Sequence, residues 1–168
     1  MGLTGPADNQ RKATLVATLA IVGAEEAKFT KKGKAEALRT IRHLILNVAD
    51  EFGEVTVISG ACHLGGVDVW AEQVAKKLGV KFRAYPPKQL SWAGGYRERN
   101  LQIARACDLI ACIVVARYPD NYTGMKFSGC YHCPKDFESH VKSGGCWTAK
   151  QAVKMGKRSL TVVISNKE

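Results

Sequence analysis

Leu15-Val16-Ala17-Thr18-Leu19-Ala20-Ile21-Val22-Gly23 is almost wholly apolar, with no polar residue recurring at alternate positions. A strand with one wet face alternates, whereas a strand covered on both faces does not, so this run predicts a buried strand that stops at Gly23. Downstream, Leu38, Ile41, Ile45, Val48 and Phe52 recur at the spacing of one helix face. The same alternation of elements then repeats. Val55 to Ile58 is a second buried strand, Val67, Trp70, Val74 and Leu78 mark a helix that Gly79 stops, and Lys81 to Tyr85 is a third strand ended by Pro86-Pro87. Leu101, Ile103, Ala104 and Cys107 set a helix from about Tyr96, and Leu109 to Val115 is a fourth strand. After an irregular excursion from Ala116 to Lys142 come a helix over Cys146 to Met155 and a last strand, Leu160 to Ile164. Non-alternating strands separated by helices imply a mainly parallel sheet of about five or more strands with helices on both faces. The expected fold is a single three-layer Rossmann-like α/β domain over 13–168, with a Cys/His-rich insertion at about 116–143.

Composition agrees with one globular domain: 168 residues, 46% hydrophobic and 24% charged. Residues 1–12 are polar and aperiodic, which predicts a flexible N-terminal arm and is unlike an export signal. No apolar run approaches the length of a bilayer span. The expected location is cytoplasmic, where the six cysteines are reduced thiols or metal ligands. A net charge of +10 favours anionic partners, either a phosphorylated small molecule or nucleic acid. The densest basic cluster, Lys28 to Lys34, reads as a solvated face.

In open parallel sheets, ligands bind at the carboxyl ends of the strands where strand order reverses. The loops after strands one, two and four, 23–29, 59–68 and 143–148, are therefore expected to meet on one rim. Of these, Ser143-Gly144-Gly145-Cys146-Trp147-Thr148 carries a phosphate signal, because paired glycines at a helix start let backbone N–H groups and the helix dipole face an anion.

Ile21-Val22-Gly23, Ser59-Gly60-Ala61 with Gly65-Gly66-Val67-Asp68, Tyr96-Arg97-Glu98-Arg99-Asn100, Asp108 before a buried strand, and Ser143-Gly144-Gly145 with Thr148 follow one another in order over nearly all of 15–165. The series resembles the SLOG superfamily of Rossmann-fold nucleotide-binding proteins, related to DNA-processing protein A and to the Lonely Guy phosphoribohydrolases. The resemblance implies that Gly23, Ser59, Gly60, Ala61, Gly65, Gly66 and Asp68 line the pocket, that Arg97 and Asn100 face the ligand, and that Gly144, Gly145 and Thr148 hold phosphate; Cys146, within the same loop, is counted with the nucleotide-binding residues. It also implies a homodimer. Asp68 sits in the first turn of its helix, where capping and contact with ribose or the reacting centre are both open roles.

Two departures bear on chemistry. Lonely Guy enzymes carry Pro-Gly-Gly-x-Gly-Thr-x-x-Glu, where this chain has Trp147 in place of the third glycine and Gln151 in place of the glutamate. A glutamine supplies no general base. After the first strand the chain has Ala24-Glu25-Glu26 in place of Ser-Arg. Glu25 or Glu26 is then a solvated side chain, a ribose acceptor or a replacement base. Trp92 and Trp147 either stack on a base or cover apolar surface. Cys62-His63 falls on the rim, and Cys107 and Cys112 fall on the core pattern.

The excursion contains Cys130, Cys133, His140 and Cys146 in the pattern C-x2-C-x6-H-x5-C, with His132 as an alternative ligand. Two thiolates from one tight turn with a later His and Cys fit a tetrahedral structural zinc site, which would also hold a long loop that lacks regular structure. Three functions follow: a nucleotide-binding protein recognising a phosphorylated or ADP-ribose-like molecule; a nucleotide N-glycosidic hydrolase in which Asp68 or Glu25 replaces the absent acid; and a single-stranded nucleic-acid binder.

Overall fold

The computed structural model describes residues 15–168; the expected arm over 1–12 lies outside the described residues. Five strands, β1 (Leu15–Gly23), β2 (Gly53–Ser59), β3 (Lys81–Ala84), β4 (Leu109–Val115) and β5 (Arg158–Ile164), form one sheet in the order β3-β2-β1-β4-β5, and every neighbouring pair is parallel. The helices are α1 (Lys31–Phe52), α2 (Val67–Lys77), α3 (Arg97–Ala106) and α4 (Gly144–Lys154). Parallel crossovers are right-handed, so the chain that steps from β1 to β3 lays α1 and α2 on one face. The return from β3 to β4, beside β1, then puts α3 and α4 on the other face, and the helices pack in those pairs.

The missing polar alternation has a direct cause. Ala17, Leu19 and Ile21 of β1 enter the core under α1 and α2, whereas Ala20 and Val22 enter the core under α3 and α4. In β4, Ala111, Ile113 and Val115 face the first core and Ile110, Cys112 and Val114 the second. Helix α1 begins at Thr30, whose hydroxyl accepts the Gly33 N–H at 2.9 Å, and its buried stripe is Ala37, Ile41, Ile45 and Val48. Each of those isoleucines, fully buried, contributes about 2–3 kcal/mol from apolar area.

Element ends differ from the sequence expectation in two places that matter. Helix α4 begins at Gly144 rather than Cys146, which places both glycines inside its first turn. A π-turn over Trp92–Tyr96, capped by Ser91, precedes α3 and delivers Trp92 and Tyr96 to the same end of the sheet as the strand carboxyl termini.

Candidate functional site

Strand order reverses between β1 and β4, and a cavity of about 630 Å3 opens at their carboxyl ends. The expected convergence occurs there. Gly23 to Glu25 and Lys28 come from the β1 loop, Cys62, Leu64 and Asp68 from the β2 side, and Ser143, Gly144, Gly145, Trp147 and Thr148 from α4.

Close backbone approach builds the floor. A side-chain carbon on Gly23 would land on the Ile113 carbonyl, and one on Gly145 would sit 2.8 Å from the Gly23 nitrogen and 3.1 Å from the Cys112 sulfur. The end of β1, the first turn of α4 and the middle of β4 are thus packed with no room for a methyl group. Gly144 is different, because the same carbon there meets nothing within 4 Å and the residue borders the cavity. Ser143 caps α4, its hydroxyl accepting the Gly145 N–H at 3.2 Å, and Thr148, only 2% exposed, lines the wall one turn on.

Two lysines border the cavity near this helix start. Lys28 donates to the Lys142 carbonyl at 3.0 Å, and its nearest carboxylate, Glu25, is 3.9 Å away. Burial lowers the Lys28 pKa and the neighbouring Lys142 ammonium lowers it further, against the pull of Glu25. Lys142 itself lies over the rings of Phe127 and Tyr131 at 5.2 and 5.6 Å. A helix N-terminus and two lysines therefore border the same cavity.

Another part of the lining is polar and largely buried. Arg99, 7% exposed, donates through Nε to the Asn100 Oδ1 at 2.7 Å and through a terminal nitrogen to the Gly60 carbonyl. Burial pushes the Asp68 carboxyl up to about 6, with Arg99 and the Ser59 hydroxyl acting in the opposite direction. Helix α2 starts at Gly66 without a side-chain cap, and Asp68 borders the cavity. Across the mouth, Trp92 and Trp147 meet edge to face with centroids 4.7 Å apart.

The residues expected from sequence divide clearly. Gly23, Glu25, Asp68, Asn100, Gly144, Gly145 and Thr148 line the cavity. Ser59, Gly60, Ala61, Gly65 and Gly66 do not line it but shape it from behind, and Cys146 lies outside the lining, in the Cys/His cluster. Ser59 donates to the Asp68 carbonyl at 3.2 Å, Ala61 turns the chain with a φ of 46°, and Gly66, at a φ of 86°, packs where a side chain would strike the Ala24 carbonyl. Arg97 is exposed and lies outside the lining, whereas Arg99 takes the buried position. The signal for Arg99 was its spacing of four from buried Ile103, which puts both on one helix face. Lys28, Lys142 and Tyr131 are lining residues that motif reasoning missed, because the loops that carry them lack periodicity. Cys62 and His63 do not pair with each other; the His63 Nδ1 meets the Tyr96 hydroxyl at 3.1 Å.

Cys130, Cys133, His140 and Cys146 form a second cluster, their ligand atoms all within 4.8 Å of one another. The His140 Nε2 is 3.4 Å from the Cys133 sulfur and 3.5 Å from the Cys146 sulfur. Tetrahedral zinc with ordinary bond lengths sets S to N edges of about 3.6 Å, so the set can hold such an ion. His132 points elsewhere and lines the cavity. As free thiols, Cys133 is pushed up to about 12 by burial and by Cys146, and Cys146 is raised strongly by its contact with Cys112, 3.8 Å away, and by burial. A metal would therefore bind against proton release.

No family model matches the chain, and no curated protein matches it. Among solved structures, the molybdenum cofactor carrier protein of Chlamydomonas reinhardtii superposes with a TM-score of 0.52 at 17% identity, covering 86% of this chain and 75% of that one. The likeness establishes a shared α/β fold. No described helix is long and apolar enough to cross a membrane.

Proposed function

We propose that the cavity binds a phosphorylated, nucleotide-like small molecule. The observation that carries this is the meeting of the α4 N-terminus with Lys28 and Lys142 at the sheet's switch point. Phosphate sits against Gly144, Gly145 and Thr148, the sugar faces Asp68 and Asn100, and a base stacks at Trp92 and Trp147. Arg99, through its bond to Asn100, positions that amide. The order of motifs supports a SLOG-type domain, and the carrier role in the neighbour's name is in keeping with a small-molecule ligand. Calorimetry against nucleoside mono- and diphosphates and ADP-ribose tests the reading. Gly144→Asp places a carboxylate where phosphate would lie, in open space, and is expected to weaken binding at least about tenfold. Unchanged binding in that variant sinks the assignment.

A second reading, N-glycosidic hydrolysis, is favoured by one observation: a cavity carboxyl, Asp68, with a pKa of about 6, suited to proton transfer near neutrality. Gln151, at the position of the Lonely Guy acid, is absent from the lining, so Asp68 or Glu25 would have to serve. Chromatographic release of free base from nucleoside monophosphates, abolished by Asp68→Asn, is the expected result. A flat time course at high protein concentration rejects it.

The Cys3His cluster is assigned to structural zinc, on the strength of its donor set and spacing. One equivalent of zinc per chain by metal analysis is expected, falling away in Cys133→Ser. Pairing into a homodimer, as the family resemblance implies, is checked by sedimentation.

A further inference from the structure

We propose that the metal centre is the strut of the ligand cavity, so that metal and phosphorylated ligand bind with positive coupling. The inference rests on the cavity and zinc readings above and concerns how the two sites share one piece of chain.

From 130 to 148 the residues alternate between the two sites. Cys130 and Cys133 belong to the metal cluster, and the two residues between them, Tyr131 and His132, belong to the cavity wall. His140 and Cys146 belong to the cluster, and Lys142 to Gly145 between them belong to the wall. One segment thus supplies both the metal ligands and part of the cavity wall, alternating along its length.

The backbone does little to hold the 128–140 part of that wall. No strand or helix is formed between β4 and α4. Among the described residues, 128–140 makes one backbone-to-backbone hydrogen bond, the local one from the Phe137 N–H to the Pro134 carbonyl at 3.1 Å. Regular anchoring resumes at Val141, whose N–H reaches the Val115 carbonyl at 2.8 Å. The four cluster residues supply the cross-ties that the backbone does not.

The fourth ligand makes the tie functional. Cys146 is the third residue of α4, directly after the glycine pair, and is 4% exposed. An ion gripped by Cys130, Cys133 and His140 would fix the first turn of α4 to the excursion, setting at once the place of Gly144 and Gly145 and that of Lys142, Tyr131 and His132. Released, the 130–140 half loses its tie to the α4 half, and a ligand must then order it at its own cost. Coupling of this kind is reciprocal, so the ligand tightens the metal by the factor with which the metal tightens the ligand.

The experiment uses the full chain, loaded with one equivalent of Zn2+ or stripped by a chelator that is then removed, with adenosine monophosphate as the probe. Amide hydrogen exchange across 130–148 is expected to slow at least about tenfold on loading. The probe is expected to bind about tenfold tighter to the loaded form, and zinc affinity, from competition with a chromophoric chelator, to rise by the same factor when the probe is saturating. Cys133→Ser, whose side chain is outside the cavity lining, should reproduce the stripped form on these readouts; should that variant fail to fold, the stripped wild-type chain carries the comparison alone. Equal exchange across 130–148 with and without zinc overturns the inference, and so does equal measurable probe affinity in the two forms. If the probe binds neither form while zinc still slows exchange, the strut is supported and the nucleotide reading is what fails.

Discussion

Gly144 and Gly145 are neighbours with opposite tolerances. At Gly145 an added methyl group meets the Gly23 backbone and the Cys112 sulfur, so Gly145→Ala is expected to cost about 1–3 kcal/mol in chemical denaturation. At Gly144 the space is open and the position is the first of α4, where a carboxylate complements the dipole. Gly144→Asp should therefore match or exceed wild-type stability by a few tenths of a kcal/mol while losing ligand. Asp68 makes a prediction about pH. Its pKa of about 6 lies above the ordinary value of 3.8, so between those values the native state holds a proton that the unfolded chain has lost. Its contribution is then fully favourable below about pH 4 and declines as pH rises through about 6. Denaturation of wild type and Asp68→Asn from pH 4 to 7 should show a slope that the variant lacks, on the order of 1–2 kcal/mol after allowing for partial exposure. At this scale the sequence was legible where a motif met a period. Asn100 and Thr148 fell on the wall, but Arg97 was named where the four-residue spacing from Ile103 selects Arg99. Lys28 and Lys142 carried no such spacing signal, since tertiary packing alone brings the Lys28 ammonium to the Lys142 carbonyl.

Among elements, the inner strands β1, β2 and β4 were the most readable because each lies between two cores and its composition records both, whereas the edge strands β3 and β5 are largely exposed. The excursion was legible in its cysteine spacing and in nothing else, as its fold depends on side chains that meet only in three dimensions. Helix α4 was read two residues short because glycine is a poor helix former, and here the Ser143 cap and the contact with β1 override that preference. A further tie between elements is Asn166, just past β5, with a φ of 58°. Its side-chain amide donates to the Lys28 and Arg117 carbonyls at 2.9 and 2.8 Å and its carbonyl accepts the Thr30 N–H at 2.8 Å. It thereby joins the end of the sheet to the start of α1 and to the turn that carries Lys28. Asn166→Ala should cost about 2–3 kcal/mol, because three buried or part-buried backbone groups lose their partner. The same variant should also weaken ligand binding through Lys28, which calorimetry would detect.

For the whole molecule, zinc is expected to act as a ligand of the native state. At metal concentrations a hundred to a thousand times the dissociation constant, stabilisation is about 3–4 kcal/mol, and a domain of this size should lose roughly 6–16 °C of melting temperature on chelation. A melting temperature that ignores both chelation and added zinc would remove the metal from the account. The contact between Gly23 and Gly145 carries a consequence for how the protein is made. One partner ends the first strand and the other opens the last helix, so the cradle cannot exist on a ribosome-bound fragment that has yet to expose α4. The early β-α-β units can pack while the chain is still emerging, but the binding site is among the last features to close. A ligand or metal ion present during synthesis would act on that docking step, as a checkpoint on the emergence of α4.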